Sequence, residues 1–215
     1  MLTVYTFGDS ILDCGRYNAR GITPGQLLVR NEDALFPEFR GRDLNAHGPV
    51  RLVHRAVDGA TVDRLPAQAR GLEVAAPALA LVTIGGNDLI LGLVTDPGTG
   101  IAAFEAALDD FVRALPMRPI FLGNVYDPTF GDDCQNFLGV DPALARANFT
   151  RVNAADAAVA ARHGHLVDLH THFLTGEPSW FTQTIEPSLT GASEVRRCFL
   201  HAILDSQDTL EASTR

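Results

Sequence analysis

The feature that most constrains the fold is a regular alternation of short apolar strands with longer amphipathic stretches. Segment 79–84 is almost entirely apolar, which is typical of a strand buried on both faces of a sheet. Segment 101–115 instead repeats its apolar residues with helical spacing. Strands that alternate with helices imply a parallel sheet with helices on both faces. The sequence predicts strands at 3–7, 51–56, 79–84, 119–125 and 165–169, and helices at 61–70, 101–115, 141–162 and 191–205.

Five strands in this pattern fit a flavodoxin-like α/β fold. The chain has 215 residues, enough to bury a large core without disulfides or metals. No linker, internal repeat or low-complexity segment divides it. The sequence therefore predicts a single three-layer α/β/α domain over residues 1–215, with a five-stranded parallel sheet.

Composition argues against several classes of partner. The formal net charge is −9, and the 17 basic residues, all arginines, are scattered, so no nucleic-acid surface is expected. No apolar run approaches the roughly 20 residues that span a bilayer. The three cysteines lack metal-type spacing, and we expect neither a disulfide framework nor a cofactor. Because the N-terminus leads straight into a strand without a signal-peptide pattern, we expect a cytoplasmic protein. The sequence gives no indication of the oligomeric state.

The segment Gly8-Asp9-Ser10 directly follows the first predicted strand. Glycine permits a sharp turn there. A serine at a strand-to-helix turn holds its hydroxyl beyond the end of the sheet, in front of a helix N-terminus that stabilises negative charge. Ser10 is therefore a candidate nucleophile. The alternative is that Asp9 or Ser10 only caps the following helix.

Residues that follow other predicted strands could join Ser10 in one site. In open α/β sheets, ligands bind beyond the carboxyl ends of the strands. The candidates that follow different strand ends are Ser10, Gly59, Asn87, Tyr126 and His170.

Three of these segments carry a family resemblance. Gly8-Asp9-Ser10-Ile11, Gly59 and Gly85-Gly86-Asn87-Asp88 resemble, in order and spacing, the first three motif blocks of the GDSL esterase/lipase family, the SGNH hydrolases. The resemblance covers roughly the first half of the chain. It implies the strand order 2-1-3-4-5 and an ester hydrolase that works through an acyl-serine intermediate.

The resemblance also implies the roles of individual residues. Ser10 would be the nucleophile. The backbone N–H groups of Ser10 and Gly59 and the side chain of Asn87 would form the oxyanion hole, which stabilises the charge of the transition state. Asp9 and Asp88 would orient their loops by accepting backbone hydrogen bonds. The alternative for Asn87 is a turn residue that stabilises its own loop.

The fourth motif block differs from the family pattern. The family has Asp-x-x-His-Pro before its last helix, and the corresponding segment here is Gln183-Thr184-Ile185-Glu186-Pro187. The histidine that serves the family as general base is therefore replaced by Glu186. A glutamate can act as a base, but weakly unless burial raises its pKa. It could instead cap the last helix or pair with an arginine.

Two histidines after the fifth predicted strand, His172 and His170, are the other candidate bases. The sequence places them in a loop at the same edge of the sheet, so either could reach Ser10. Each could equally be an exposed or structurally satisfied histidine. The sequence leaves the choice between Glu186, His172 and His170 open.

Two other groups favour structural roles. Asp127, Asp132 and Asp133 do not have the spacing of a calcium loop, and an acidic, solvated loop is the preferred interpretation. Cys14 lies about one helical turn beyond Ser10 and is expected to be buried packing.

The preferred hypothesis is a serine ester hydrolase that acts on small acyl or acetyl esters with a non-standard base. One alternative is a degenerate domain of the same fold that binds an ester or carbohydrate ligand without turnover. A weaker alternative is a metal-assisted phosphoesterase that uses the acidic residues. All the partners expected are small molecules, with neither nucleic acid nor membrane.

Overall fold

The computed structural model describes residues 1–213, with side chains described up to residue 206. Its centre is a parallel five-stranded sheet with the order β2-β1-β3-β4-β5. This order confirms the expected 2-1-3-4-5 arrangement. The strands are β1 Leu2–Gly8, β2 Val50–His54, β3 Ala78–Thr83, β4 Ile120–Gly123 and β5 His165–Val167.

Helices cover both faces of the sheet. They are α1 Pro24–Val29, α2 Leu65–Gln68, α3 Gly86–Ile90, α4 Thr99–Ala114, α5 Pro142–His163, α6 Leu169–Leu174 and α7 Leu189–Ser213. Strand β3 is buried along its whole length, as its apolar run predicts. Its side chains alternate: Leu81 faces the core beneath α1 and α7, and Val82 faces the core beneath α4 and α5.

The start of helix α5 follows from its sequence. Asp141 accepts a hydrogen bond from the Leu144 N–H at 2.9 Å, and Pro142 occupies the first turn. The helix then buries Val152 and Val159 against the sheet. Asp141-Pro142 thus sets the first turn of the helix that lies beside the candidate site.

Several boundaries differ from the sequence prediction. Strand β5 ends at Val167, because the Asp168 side chain accepts a hydrogen bond from the Thr171 N–H and starts helix α6. His170 and His172 therefore lie on a short helix, and the predicted loop is wrong. The predicted helix at 61–70 is reduced to a 3₁₀ turn and α2. The last helix is longer at both ends than the predicted segment 191–205.

A two-stranded hairpin precedes the last helix and was not predicted. Strand β6, Phe181–Thr182, pairs antiparallel with β7, Glu186–Pro187. Its loop places Gln183 at φ 46° and Thr184 at φ 75°. The left-handed region is rare for a β-branched residue such as Thr184. The hairpin brings Glu186 to the carboxyl edge of the sheet.

Among residues 1–213, no helix has both the length and the apolar character needed to cross a lipid bilayer.

Two buried carboxylic acids, Asp9 and Asp156, and the half-buried Asp88 lie near the carboxyl edge. Burial raises the pKa of Asp9 to about 7 and the pKa of Asp88 to about 6. Asp156, on α5, is fully buried, and neither of its carboxyl oxygens has a hydrogen-bond partner among the described residues. Burial raises its pKa well above the ordinary value, and the charges of Asp9 and Asp88 add to the effect. These acids hold protons in the folded state that the unfolded chain releases near pH 4.

Their contribution to stability is therefore present at low pH and is lost as pH rises toward 7. Glu194 has the opposite effect, because its partners lower its pKa to about 2. Its contribution to stability is present above about pH 4.5 and is lost as the pH falls toward 2. We expect Asp156→Leu, which keeps the side-chain shape, to raise the free energy of unfolding by roughly 1–3 kcal/mol at pH 7.5. We expect the gain to shrink toward pH 4.5. Urea unfolding at several pH values measures both effects.

Asp156→Asn is the matched control. It removes the titrating group but keeps a polar side chain in the same position, so the pH dependence should weaken without the full gain in stability. An Asp156→Leu protein that is less stable than wild type at pH 7.5 would contradict this account.

Candidate active site

Ser10 lies at the turn after β1, where the backbone approaches its neighbour very closely. Gly8 has φ +123°, and a Cβ there would lie 1.8 Å from the Thr83 carbonyl oxygen. Only glycine fits such a position. Asp9 braces the turn, since its carboxyl accepts hydrogen bonds from the Ile11 N–H at 3.1 Å and the Thr83 hydroxyl at 2.9 Å. Asp9 thus orients the loop, as expected, and leaves Ser10 at the edge of the sheet.

The second and third motif blocks are joined by one side chain. Asn87 Nδ2 donates to the Ala60 carbonyl at 3.0 Å, which ties the start of α3 to the residue after Gly59. Asp88 accepts from the Val62 N–H at 3.1 Å and so orients the same loop, as expected. Asn87 and Ser10 line the same cavity. The second amide hydrogen of Asn87 remains free for another acceptor.

Two backbone donors complete the arrangement. Within the described residues, neither the Ser10 N–H nor the Gly59 N–H donates a hydrogen bond. Gly59 has φ +77°, and the space where a Cβ would stand is open. Both amides can therefore donate to a bound group. Two backbone N–H groups and one side-chain amide are the donor types of an oxyanion hole.

Glu186 lies buried beside Ser10. The pKa of its carboxyl is raised, chiefly by burial and further by the charge of Asp58. The neighbouring Ser10 and Tyr17 hydroxyls lower this pKa but do not reverse the shift. Its Oε2 is buried and has no hydrogen-bond partner in the part of the chain that the structure describes. The position that holds histidine in the family pattern thus holds a carboxyl group next to the candidate nucleophile.

The hairpin holds Glu186 through contacts on both sides. Thr182 pairs with Glu186 across the two strands. The Tyr126 hydroxyl donates to the Ile185 carbonyl at 2.7 Å. Gly191 allows α7 to approach closely, because a Cβ there would lie 2.0 Å from the Trp180 carbonyl oxygen. Gly191 of the fourth block thus allows close packing between α7 and the segment that leads into the hairpin.

A polar network on the β2 side of the site was missed by the sequence analysis. The Tyr17 hydroxyl donates to the Asp58 carboxylate at 2.8 Å, and Arg16 Nη1 lies 2.7 Å from Asp58 Oδ2. Burial raises the pKa of Tyr17, and the neighbouring carboxylates of Asp58 and Glu186 raise it further. Asp58 could have been suspected from its place before Gly59. Tyr17 lies in the insertion after β1, where no pattern marks it.

The two histidines have other surroundings. His172 Nε2 lies 2.8 Å from Glu194 Oε2, and its ring stacks on Trp180. His170 packs its ring against Phe149, and its buried Nδ1 has no hydrogen-bond partner within the described residues. Neither lines the cavity that contains Ser10. The structure therefore groups Ser10, Gly59, Asn87 and Glu186 and places His172 and His170 elsewhere.

The acidic loop differs from its prediction at Asp127 only, since Asp132 and Asp133 are exposed, as expected. Asp127 is buried rather than solvated, because Arg146 Nη1 lies 2.5 Å from its carboxylate. Asp133 pairs with the same arginine at 2.8 Å. Over the described part of the chain, no cluster of three or more His, Cys, Asp or Glu residues could hold a metal ion. Cys14 is buried, as expected, and burial raises its pKa to about 12.

One cavity opens next to Ser10. Its volume is about 110 Å³. Besides Ser10 and Asn87, the lining includes mostly apolar side chains, among them Leu89, Ile90, Phe137, Leu138, Phe149 and Ile185. These come from α3, the loop before α5, α5 itself and the hairpin.

Comparison with known proteins agrees with this geometry. The family model described as GDSL-like lipase/acylhydrolase matches residues 6–192. The chain belongs to this family. The match extends well beyond the first half of the chain, where the sequence resemblance was recognised, and includes the segment with Glu186. A search of curated proteins gave no match.

Solved structures of GDSL-like and related hydrolases share the fold. Axe2, an acetylxylan esterase from Geobacillus stearothermophilus, is 21% identical with a TM-score of 0.67, covering 94% of this chain and 93% of Axe2. LAE5, an alpha/beta hydrolase enzyme from the metagenome of Lake Arreo, Spain, is 28% identical with a TM-score of 0.65, covering 93% of this chain and 94% of LAE5. Two further Axe2 structures are catalytic mutants, one with a serine and one with a histidine changed to alanine.

Proposed function

We propose that this protein is a serine ester hydrolase in which Glu186 replaces the usual histidine as general base. The observation that carries the proposal is the buried Glu186 carboxyl beside the Ser10 hydroxyl, next to a cavity that Ser10 and Asn87 line. Membership of the GDSL-like family and the esterase neighbours support ester hydrolysis. We also propose that residues 1–215 form one domain, since helices of both layers pack on one sheet.

The reaction begins with attack of Ser10 Oγ on the carbonyl carbon of the ester, and the hydroxyl proton passes to the Glu186 carboxylate. The N–H groups of Ser10 and Gly59 and the Asn87 amide hold the resulting oxyanion. The C–O bond to the alcohol then breaks, and the alcohol leaves with the proton from Glu186. The acyl group stays on Ser10.

In the second half, a water molecule attacks the acyl-serine and gives a proton to Glu186. Collapse of the new oxyanion releases the carboxylic acid, and the proton returns to Ser10 Oγ. Glu186 can serve because burial raises its pKa, which makes its carboxylate more basic than that of an exposed glutamate.

The test of this proposal is hydrolysis of p-nitrophenyl acetate combined with Asn87→Ala. We expect the variant to lower kcat about 10²-fold or more with little change in KM, because the lost donor acts mainly in the transition state. Steady-state kinetics of purified protein measure both constants.

Asn136→Ala is the control, since Asn136 lines the same cavity but would not contact the oxyanion. It should leave kcat close to wild type. A change confined to KM in Asn87→Ala would instead mark Asn87 as a binding residue. Absence of turnover in the wild type would favour the alternative, a domain that binds an ester or carbohydrate ligand without turnover.

A further inference from the structure

The two sides of Ser10 differ in chemistry. On the β2 side lie Glu186, Tyr17, Asp58 and Arg16, a polar and charged group. On the α3 and α5 side lies the cavity of about 110 Å³ with mostly apolar walls. An ester bound at Ser10 has its acyl group in one of these environments and its alcohol group in the other.

Away from Ser10 and Asn87, the polar side chains that line the cavity have partners within the protein. Arg146 is paired with Asp127 at 2.5 Å and Asp133 at 2.8 Å. The Thr129 hydroxyl donates to Asp127 at 2.7 Å, and the Asn136 amide donates to the Val140 carbonyl at 3.2 Å. The surface left for a ligand is therefore largely apolar.

Exposed apolar side chains continue from the cavity to the protein surface. Ile90 is 40% exposed and Phe137 is 44% exposed, and both line the cavity. These two residues extend the apolar lining of the cavity to the protein surface, and exposed apolar side chains at the mouth of a cavity indicate a binding surface.

We propose that this cavity binds an apolar acyl chain longer than acetyl. The inference rests on the proposed esterase function. In that mechanism the leaving alcohol takes its proton from Glu186, so the alcohol lies on the polar side of Ser10. The acyl group then enters the cavity on the other side.

The cavity volume sets the length of the chain. At roughly 30 Å³ for one heavy atom, 110 Å³ holds about three or four atoms beyond the carbonyl carbon. Butanoyl and pentanoyl groups fit this space, and the exposed apolar residues can cover one or two further carbons. The substrate class is an ester of a short- to medium-chain, apolar carboxylic acid with a polar alcohol.

The experiment compares p-nitrophenyl acetate, butyrate, hexanoate and decanoate. Burial of one methylene favours binding about fourfold, so kcat/KM should rise roughly tenfold or more from acetate to butyrate or hexanoate. It should fall again at decanoate. Ala145→Phe fills the cavity from α5 and should reverse this preference, so that acetate becomes the better substrate.

Ala147→Phe is the matched control, because Ala147 lies exposed on another face of the same helix. It should keep the wild-type chain-length profile, and circular dichroism checks the fold of both variants. The inference is overturned if the wild-type protein prefers acetate, or if Ala145→Phe has the same chain-length profile as the wild type. In either case, turnover of the esters would still support the proposed esterase function. If no ester is turned over and a fluorophosphonate probe fails to label Ser10, the esterase proposal itself has failed.

Discussion

Replacement of Ser10 by alanine is expected to lower ester turnover by at least about 10³-fold. Loss of the nucleophile removes the acyl-serine pathway and leaves only the oxyanion donors and binding to act on water. The substitution removes one hydroxyl group and keeps the Cβ in place, so the fold should be unchanged. Kinetics with p-nitrophenyl butyrate measure the loss.

A fluorophosphonate probe supplies the control. Mass mapping of the wild type should find the probe on Ser10, and the Ser10→Ala protein should not react. A serine outside the candidate site makes a matched variant: Ser193→Ala, in the buried part of α7, should keep both turnover and labelling. Wild-type turnover in Ser10→Ala protein would refute the serine mechanism.

Replacement of Glu186 by glutamine is expected to lower the rate of ester hydrolysis by about 10²–10⁴-fold. General-base catalysis contributes about 10²–10⁴-fold, and glutamine cannot accept the Ser10 proton. Stability should be kept or slightly raised, because the substitution removes a carboxyl group whose ionisation burial disfavours. The wild-type rate should fall with decreasing pH as Glu186 is protonated, with an apparent pKa above 4.5, the ordinary glutamate value.

Glu186→His tests the same position with a different base. It restores the family residue, so activity should persist, with its loss at low pH moved toward the imidazole range near 6.5. His172→Ala and His170→Ala should leave the rate near wild type. A large loss in either histidine variant, together with a normal Glu186→Gln enzyme, would show that the base is a histidine.

The central sheet could be predicted because its signals are local. The apolar run of β3, the glycine at the end of β1 and the Asp141-Pro142 helix start each depend on neighbouring residues only. The end of β5 was missed because Asp168 continues an apolar stretch in sequence but caps a helix in space. The hairpin was missed because neither Gln183 nor Thr184 belongs to a residue type that favours its left-handed backbone.

Some residues of the candidate site could also be predicted from local signals, and others could not. Ser10, Gly59 and Asn87 follow strand ends, so parallel pairing alone brings them to one edge. Asp127 looked solvated in sequence because its partner, Arg146, lies 19 residues away on α5. Tyr17 reaches Glu186 from an irregular insertion, where contacts depend on tertiary packing rather than on a repeating pattern.

The small hairpin that carries Glu186 has one further consequence. Two residue pairs make only a marginally stable ribbon by themselves, and isolated hairpins of this size are rarely stable in water. Such segments open with free energies far below that of global unfolding. Opening of this ribbon would therefore move Glu186 away from Ser10 while the five-stranded sheet stays folded, so the share of molecules with the two side chains together depends on a local equilibrium as well as on global folding.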